Sequence, residues 1–421
     1  MNILFLSTEN PFPLDHGHHI RTYYVLKALA AEHNVHFVAF ADNDSAFEYR
    51  SELRELCRSV EIFPLRFLGW RQMHLLLMNF FSPLPLIAQK YCQPQAVDHI
   101  RKVIREESID LVHVDLLHIA SYRNEISRLP CVLVNHNVES LRILRWAKVE
   151  RNPLLRSYLF YQYFKLRNFE GKVCRQFDLC VTVSDYDKHL LSGLCGEGNF
   201  VTIPNGVDTS YFTRYEKDSK PNSLVWTGSM AGPYNRDAVV YFLEEIWPII
   251  SERAPAASVT FVGGSPPKVL KKRSRRCATI KYTGYVHDVR PYVADAEVFI
   301  APLRAGSGTK IKILNAMAQG KPVVTTSVGA EGIDAEPEKE IIVADESEKF
   351  AERIVFLLQH PDRAKRIGLR ARKLIERTYD WRLISRTIQD VYADLEKNVP
   401  ENLDLQRNGC RPDGLGLTYQ S

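Results

Sequence analysis

The chain has 421 residues, of which 45% are hydrophobic and 25% are charged, and its formal net charge is +5. This length and composition are typical of a globular protein with two domains. The positive balance is too small to indicate a nucleic-acid-binding protein, although it permits attraction to an anionic membrane surface.

The cysteines and the apolar runs indicate the compartment. The eight cysteines show no C-x-x-C pair or zinc-like spacing, which favours free thiols in a reducing environment. No run reaches the ~18 apolar residues that cross a bilayer, and the N-terminal run at 3–6 is too short for a signal peptide. We therefore expect a cytoplasmic protein. Segments 64–81 and 154–172 join bulky apolar residues to arginines, which fits either a peripheral contact at the inner membrane face or core helices.

Short β-type runs alternate with helical patterns twice along the chain, which predicts an α/β fold with two Rossmann-like domains and parallel sheets. The predicted strands are 3–6, 35–40, 60–63, 111–114, 132–134 and 179–183 in the first half, and 224–227, 259–262, 280–283, 298–301, 323–325 and 341–343 in the second. The predicted helices are 20–32, 46–57, 97–107, 237–252, 310–318, 348–358, 363–377 and 381–395.

A turn-rich segment at 203–208 marks the joint between the halves. We predict an N-terminal domain at 1–205 and a C-terminal domain at 206–380. The polar composition beyond residue 398 predicts a disordered tail at 399–421. Because ligands of open α/β sheets bind at the carboxyl ends of the strands, the site should lie in the cleft between the two sheets.

Two histidine-containing segments follow predicted strands of the first half. The segment from Asp15 to Arg21 contains three histidines but no cysteine or glutamate at metal-site spacing, so we predict no metal there. His136 follows the strand at 132–134. A lone histidine is more often structural, and the alternative is a role in an active site.

Two glycine-containing turns follow strands of the second half. Gly228 and Ser229 end the strand at 224–227, where they suit either ligand contact or a plain turn, and Asn235 and Asp237 are interpreted as capping residues of the next helix. The second turn lies at 284–286, after the strand at 280–283.

The segment from Arg304 to Lys312 is the most informative. A strand ends in a basic turn with Gly306 and Gly308, which then opens an apolar-periodic helix. Glycines let the backbone approach a ligand, and free N–H groups at a helix start attract anions. The turn therefore predicts a diphosphate site, with an ordinary helix cap as the alternative.

This block also resembles the nucleotide-sugar-binding helix of family 4 glycosyltransferases, which are retaining enzymes of the GT-B architecture. The family pattern is a glycine-bearing turn followed by Glu-Ala-Met-Ala-x-Gly-x-Pro-Val-Val. Residues 315–324 match it, except that Asn315 stands in place of the glutamate, and Ser307 stands where the family has an earlier glutamate. The linker at 204–208 is also similar, and the resemblance covers about residues 1–395. It further implies that helix 381–395 returns to the N-terminal domain.

The resemblance assigns a role to individual residues on both sides of the cleft. His136 would contact the donor sugar, Arg304 and Lys310 would balance the charge of the leaving group, and Glu139 and Arg21 would face the acceptor. Asn315 would bind the ribose. The other implied donor contacts are Gly17, His18, Gly228, Ser229, Arg236, Tyr285, Val286, Gly306, Ser307, Gly308 and Thr309.

The implied function is retaining transfer of a sugar from a nucleotide-sugar donor to a hydroxyl acceptor, in the synthesis of a surface polysaccharide or a lipid-linked glycan. No metal or other cofactor and no nucleic acid are expected; the acceptor would be a glycan or lipid-linked. Two alternatives stay open. One is a nucleotide-sugar epimerase of the same fold, which needs carboxylates for proton abstraction. The other is a catalytically silent sugar-nucleotide-binding subunit, which Asn315, Ser307 and His18 favour.

Overall fold

A computed structural model describes residues 1–42, 48–65, 70–126, 129–196, 198–214 and 219–397, without the side chains of 70–73. The tail predicted at 399–421 lies outside the described residues. The fold class was predicted correctly, because two parallel sheets are each covered by helices on both faces.

In the described part of the chain, seven parallel strands form the first sheet, in the order β3-β2-β1-β4-β5-β6-β7. They are β1 Asn2–Ser7, β2 Asn34–Ala41, β3 Ser59–Pro64, β4 Leu111–Asp115, β5 Cys131–Asn135, β6 Leu179–Thr182 and β7 Phe200–Thr202. The helices around this sheet are α1 Gly17–Ala30, α2 Arg50–Leu56, α3 Trp70–Phe81, α4 Leu86–Gln89, α5 Pro94–Glu106, α6 Glu139–Val149, α7 Pro153–Val173 and α8 Asp185–Cys195, with 3₁₀ turns at Leu117–Glu125 and Cys174–Gln176.

The second sheet has six parallel strands among the described residues, in the order β10-β9-β8-β11-β12-β13. They are β8 Ser223–Thr227, β9 Ser258–Val262, β10 Ile280–Tyr282, β11 Val298–Ala301, β12 Val323–Thr325 and β13 Ile342–Val343. The helices that follow in chain order are α9 Pro233–Tyr241, α10 Trp247–Arg253, α11 Lys268–Arg276, α12 Arg290–Asp295, α13 Ile311–Ala318, α14 Ser327–Ala330, α15 Ser347–Gln359, α16 Pro361–Leu374 and α17 Trp381–Lys397, with π turns at Phe242–Ile246 and Ile375–Tyr379.

The central strands are apolar throughout because both of their faces are buried. In β1, Leu4 and Leu6 join one hydrophobic cluster, whereas Ile3 and Phe5 point to the opposite face and join another. This alternation follows from the two-residue period of a strand. The sequence prediction missed β7, which is only three residues long and ends in a threonine. None of the helices in the described ranges combines the length and the apolar character that a bilayer span needs.

The C-terminal helix α17 packs on α1, so the last described helix belongs to the core of the first sheet. The linker between the two sheets lies beside the start of this helix, where Val207 pairs with Asp380. The indole of Trp381 stacks on Tyr24 with ring centroids 4.6 Å apart. Gly206 also lies against the indole of Trp381, and an added Cβ on Gly206 would come within 2.5 Å of Cδ2 of Trp381.

Gly206→Ala should therefore destabilise the crossing point between the sheets. The new methyl group must displace an indole that is already fixed by Tyr24, and overpacking of this kind costs about 1–3 kcal/mol. Thermal unfolding should show a midpoint several degrees below that of the wild type. Gly193→Ala is the matched control, because Gly193 lies within α8 and has nothing within 4 Å of its would-be Cβ; its midpoint should stay or rise slightly. Equal midpoints for the two variants would contradict this account of Gly206.

Candidate active site

Each sheet reverses its strand order once, between β1 and β4 in the first and between β8 and β11 in the second. Crevices at such switch points are where α/β folds bind ligands. Loops of the first domain meet the start of α13 at this place. Ser307 Oγ donates to the carbonyl of Val138 at 3.0 Å, and a Cβ on Gly17 would lie 3.2 Å from Cδ1 of Ile311. The turn before α13 thus lies between the two domains.

The backbone of this turn is held in conformations that favour glycine. Gly306 has φ +118° and Gly308 has φ +67°. A Cβ on Gly308 would lie 2.4 Å from the carbonyl oxygen of His136, so no other residue fits without movement. Within the described ranges, no acceptor is found for the backbone N–H groups of residues 306–309. Unpaired amides before a helix start form an anion-binding site.

Two lysine side chains flank the same turn. Lys310 Nζ donates to the carbonyl of Gly308, and Lys312 Nζ donates to Asn235 Oδ1 at 2.7 Å and lies 4.3 Å from the centre of the Trp226 ring. Burial lowers the pKa of Lys310 to about 8, although nearby carboxylates oppose this. Burial, together with the charge of Lys310, lowers the pKa of Lys312 to about 7. No carboxylate among the described residues pairs with Lys312, so an anionic ligand would stabilise its charged form.

The structure corrects the prediction for Arg304. Its guanidinium donates to both carboxylate oxygens of Asp237, at 2.7 and 3.1 Å, and lies 4.2 Å from the ring centre of Tyr241. These contacts direct it towards α9 and the adjoining π turn rather than to the glycine turn. The capping prediction for Asn235 and Asp237 was also wrong, because α9 already begins at Pro233. Lys312 is the second cation beside the glycine turn, in addition to Lys310. Its position in the first turn of α13 could have indicated this from the sequence.

The ends of β8 and β9 lie beside Lys312. Gly228 has φ +139°, and a Cβ on it would lie 2.9 Å from Lys312 Nζ. The sequence analysis missed Gly263, where a Cβ would come within 1.9 Å of the Gly228 carbonyl oxygen. Gly263 directly follows the predicted strand at 259–262, and this position could have indicated a turn at the edge of the sheet. The Ser229 carbonyl accepts a hydrogen bond from Asn235 Nδ2 at 2.7 Å.

The remaining predicted donor contacts in the second domain lie near this edge. Tyr285 is 62% exposed, and Val286 packs against the core of the second sheet. Arg236 donates to the carbonyl of Ala231 on the exposed surface. Asn315 is partly buried on α13, and its side-chain amide makes no hydrogen bond to the described residues. Base and ribose contacts at these residues stay predictions.

The structure also corrects the prediction for Arg21. This residue is 1% exposed, and its guanidinium donates to the carbonyls of Ile203 and Pro204 and to Asn205 Oδ1 at 2.9–3.0 Å. It therefore ties α1 to the interdomain linker and does not face an acceptor. A buried arginine bound to backbone carbonyls stabilises the position of the linker.

A buried polar cluster in the first domain surrounds His136. Its Nε2 lies 2.7 Å from Asp115 Oδ1, and its Nδ1 lies 3.2 Å from Nδ1 of His18. Thr8 Oγ1 lies 3.1 Å from the other nitrogen of His18, and Thr22 donates to Asp115 Oδ2 at 2.5 Å. All contacts are satisfied with neutral histidines if Thr8 donates to His18, His18 donates to His136 and His136 donates to Asp115.

Electrostatics support this assignment. Burial, helped by the neighbouring His136, lowers the pKa of His18 to about 4, which keeps it neutral. Burial by itself would raise the pKa of Asp115, but His136, with its hydrogen bond to the carboxylate, and the neighbouring His113 bring it well below its usual range. Behind the carboxylate, His113 is bonded to the hydroxyl of Tyr392 on α17. The ionised Asp115 thus fixes the orientation of His136 at the cleft.

The same cluster has the composition of a metal site. His18, Asp115 and His136 each offer one ligand atom within 4.8 Å of the others, as do Asp15, His16 and His19 nearer the surface. The sequence analysis did not foresee the first set, since it joins the start of α1 to the ends of β4 and β5. Its atoms already bond one another here, and metal independence stays a prediction.

The predicted acceptor-side residue Glu139 is buried at the start of α6. Its carboxylate accepts hydrogen bonds from Arg142 Nε at 2.7 Å and from Asn137 Nδ2 at 3.2 Å. Burial would raise the pKa of Glu139, but Arg142 and then His118 lower it to about 2. The sequence analysis missed Arg145, which donates to Gly306 O at 2.9 Å and pairs with Glu331, and so links the first domain to the glycine turn.

Comparison with known proteins identifies this arrangement. Residues 16–211 match the model of "Glycosyltransferase Family 4", and residues 221–360 match that of "Glycosyl transferases group 1". Two Rossmann-like domains that meet at the ends of their sheets are the architecture of GT-B glycosyltransferases. The chain belongs to family 4 of these enzymes, the group 1 glycosyl transferases.

Two relatives are similar to this chain in sequence. The chain is 21% identical over 401 residues to an uncharacterized 44.6 kDa protein in the cps region of Klebsiella pneumoniae, covering 92% of this chain and 98% of the relative. It is 26% identical over 203 residues to a phosphatidyl-myo-inositol mannosyltransferase of Mycolicibacterium smegmatis, covering 46% and 51%.

Two solved structures share the fold over 94% of this chain and 100% of their own. One is sucrose-phosphate synthase from Thermosynechococcus elongatus, with a TM-score of 0.70 and 15% identity. The other is Anabaena HepE in complex with UDP-glucose, with a TM-score of 0.64 and 17% identity. At such identities the likeness shows the fold alone.

Proposed function

We propose that this glycosyltransferase moves a sugar, with retention of anomeric configuration, from a nucleotide-sugar donor to a hydroxyl acceptor in the synthesis of a surface polysaccharide or a lipid-linked glycan. One observation carries the proposal. Backbone amides of residues 306–309 that have no acceptor in the described part of the chain lie with Lys310 and Lys312 at the start of α13, where the two domains meet. These groups would bind a diphosphate.

The donor diphosphate would lie across this turn, with its charge balanced by the two lysines. As the bond between the anomeric carbon and the diphosphate oxygen breaks, the electron pair stays with the diphosphate. The amides and ammonium groups stabilise that developing charge in place, and preorganised stabilisation of this kind contributes most of the rate enhancement of many enzymes. The HepE structures with UDP and UDP-glucose support a nucleotide-sugar donor in this fold.

Retention of the anomeric configuration is consistent with the bonds that the carboxylates of the cleft already make. An inverting enzyme needs a protein base, a histidine or a carboxylate, to take the acceptor proton. Asp115, Glu139 and Glu331 are all bonded to neighbouring cations or histidines. Both ring nitrogens of His136 are engaged by His18 and Asp115. In front-face attack the acceptor oxygen bonds to the anomeric carbon while its proton passes to the leaving diphosphate. No protein base is then needed. His136, oriented by Asp115, would line the donor sugar.

The nucleoside would extend from the diphosphate towards the second domain. Tyr285 and Val286 would receive the base, and Asn315 would bind the ribose with neutral hydrogen bonds, which are weaker than those of a glutamate. The seven described cysteines are free thiols, as expected for a reaction in the cytoplasm. The cps-region relative supports a role in polysaccharide synthesis.

A donor panel tests the proposal. The purified protein is incubated with UDP-, GDP- and ADP-sugars in the presence of a chelator, first alone and then with candidate acceptors. We expect slow hydrolysis of one donor, faster turnover with acceptor, and a product whose anomeric configuration by NMR matches that of the donor. An inverted product would overturn retention. An epimerised donor would indicate an isomerase, and binding without turnover would indicate a silent subunit.

A further inference from the structure

The helix α11 presents a row of cations along one face. Lys268, Lys271, Lys272, Arg275 and Arg276 recur at spacings of three and four residues and line a single shallow groove of about 390 Å³. All five side chains are exposed, whereas Leu270 on the opposite face is fully buried. The burial of Leu270 fixes which face of the helix points to solvent.

No acidic group offsets this row. Residues 253–287 contain no aspartate or glutamate, and none of the five side chains forms an ion pair within the described ranges. Like charges three and four residues apart destabilise a helix. Packing of α11 does not require these cations, so the row is best explained by a polyanionic partner.

A second surface, on α3 and α7 of the first domain, exposes large apolar side chains. The exposed fractions are 64% for Leu77, 62% for Phe80, 87% for Phe81 and 66% for Phe164. Phe80 and Tyr161 stack with ring centroids 5.2 Å apart, so the two helices form one patch. A contiguous apolar patch of this kind marks an interaction site.

Charge around the apolar patch has the same sign as on α11. Residues 62–97 and 151–169 contain no aspartate or glutamate. Arg156 and Arg167 are exposed on α7. Apolar side chains framed by cations complement the interfacial region of an anionic bilayer.

Contacts between neighbouring elements connect the two surfaces. Arg151, just before α7, pairs with Glu244 of the π turn after α9 at 3.0 Å. The helix α9 in turn packs against both α6 and α11. The elements that carry the apolar patch and the cationic row are therefore linked by direct contacts across the two domains.

We propose that the apolar patch and the cationic row lie on one side of the protein and that this side docks on an anionic phospholipid bilayer. The apolar side chains of α3 and α7 enter the interfacial region, and the α11 cations contact headgroup phosphates. Stable anchoring of a peripheral protein requires two signals, and this side supplies one apolar and one electrostatic. Docking is independent of the proposed transfer reaction and holds the two domains at the membrane surface.

Vesicle co-sedimentation of the full chain tests the proposal. With vesicles of phosphatidylglycerol and phosphatidylcholine, we expect binding that weakens with added salt, and little binding to phosphatidylcholine alone. The variant Lys271→Gln/Lys272→Gln/Arg275→Gln should bind about 100-fold more weakly, since each cation near an anionic surface contributes roughly fivefold. Leu77→Gln/Phe81→Gln should also weaken binding while leaving its salt dependence intact.

Control variants remove the same charge, or one exposed apolar side chain, elsewhere. Lys365→Gln/Arg366→Gln/Arg370→Gln on α16, which packs against α13, makes an identical change in net charge. Leu383→Gln changes an exposed leucine on α17, the helix beside α1. Both should bind like the wild type. Equal weakening by the α16 variant, equal binding to neutral vesicles, or binding to soluble polyphosphate without binding to vesicles would each overturn the proposal.

Discussion

Lys312→Met should weaken donor binding by about 10- to 100-fold, the usual range for a lost charge-assisted hydrogen bond. Methionine keeps an unbranched side chain of similar length against Trp226 but removes the ammonium group beside Gly228. Isothermal titration calorimetry with the nucleotide-sugar that the donor panel identifies measures the change. Lys349→Met, on the exposed surface of α15, is the control and should bind normally.

Lys312→Met also tests whether donor binding is linked to protonation of Lys312. The pKa of Lys312 is about 7 in the free protein, and a bound diphosphate would raise it. Above pH 7, binding should therefore take up a proton, and donor affinity should fall as the pH rises from about 7. Titrations in two buffers of different ionisation enthalpy count the protons. Lys312→Met should lose the part of this dependence that begins near pH 7, whereas the part due to Lys310, whose pKa is about 8, should remain. An unchanged pH profile in the variant would contradict the assignment.

Gly308→Ala should reduce transfer by about 100-fold or more while the protein still folds. The alanine must hold a left-handed φ of +67°, and its Cβ would lie 2.4 Å from the His136 carbonyl and 2.6 Å from Asn137 Oδ1. The turn and the first domain would then have to separate, and a displacement near 1 Å at a reacting centre is sufficient for a loss of this size.

Steady-state kinetics with donor and acceptor measure this effect, and small-angle scattering reports whether the domains separate. Gly232→Ala is the control, because Gly232 precedes α9 and has nothing within 4 Å of its would-be Cβ. Its activity should be unchanged. Full activity of Gly308→Ala would show that the close packing of the turn against the first domain is not part of the working site.

Local pattern was sufficient for most of the fold. Buried parallel strands are short apolar runs, so β11 and β12 were predicted to the residue. The glycine turn and its helix were also evident, because positive φ and a helix start each require particular residue types. Where local signals were weak, as in the three-residue β7, prediction failed.

Side-chain direction was not readable from the same pattern. Arg304 and Lys312 both flank the glycine turn in sequence, yet Arg304 turns to Asp237 and Lys312 to Gly228. Arg21 follows the histidine loop but points inward to the linker. Which way a long cation extends depends on the acceptors that other segments bring near, and those segments are distant in the chain.

The sequence by itself determined that this chain builds two parallel α/β domains with a glycine turn before a helix start, because strand periodicity, helix starts and glycine conformations are local properties. Only the tertiary structure decided which groups share the cleft. Asp115 and His136 meet because β4 and β5 are neighbours in the sheet, and His18 joins them from the start of α1, which follows the adjacent strand β1. That order arises from how the crossover helices pack, which is a property of the whole domain and of no single segment.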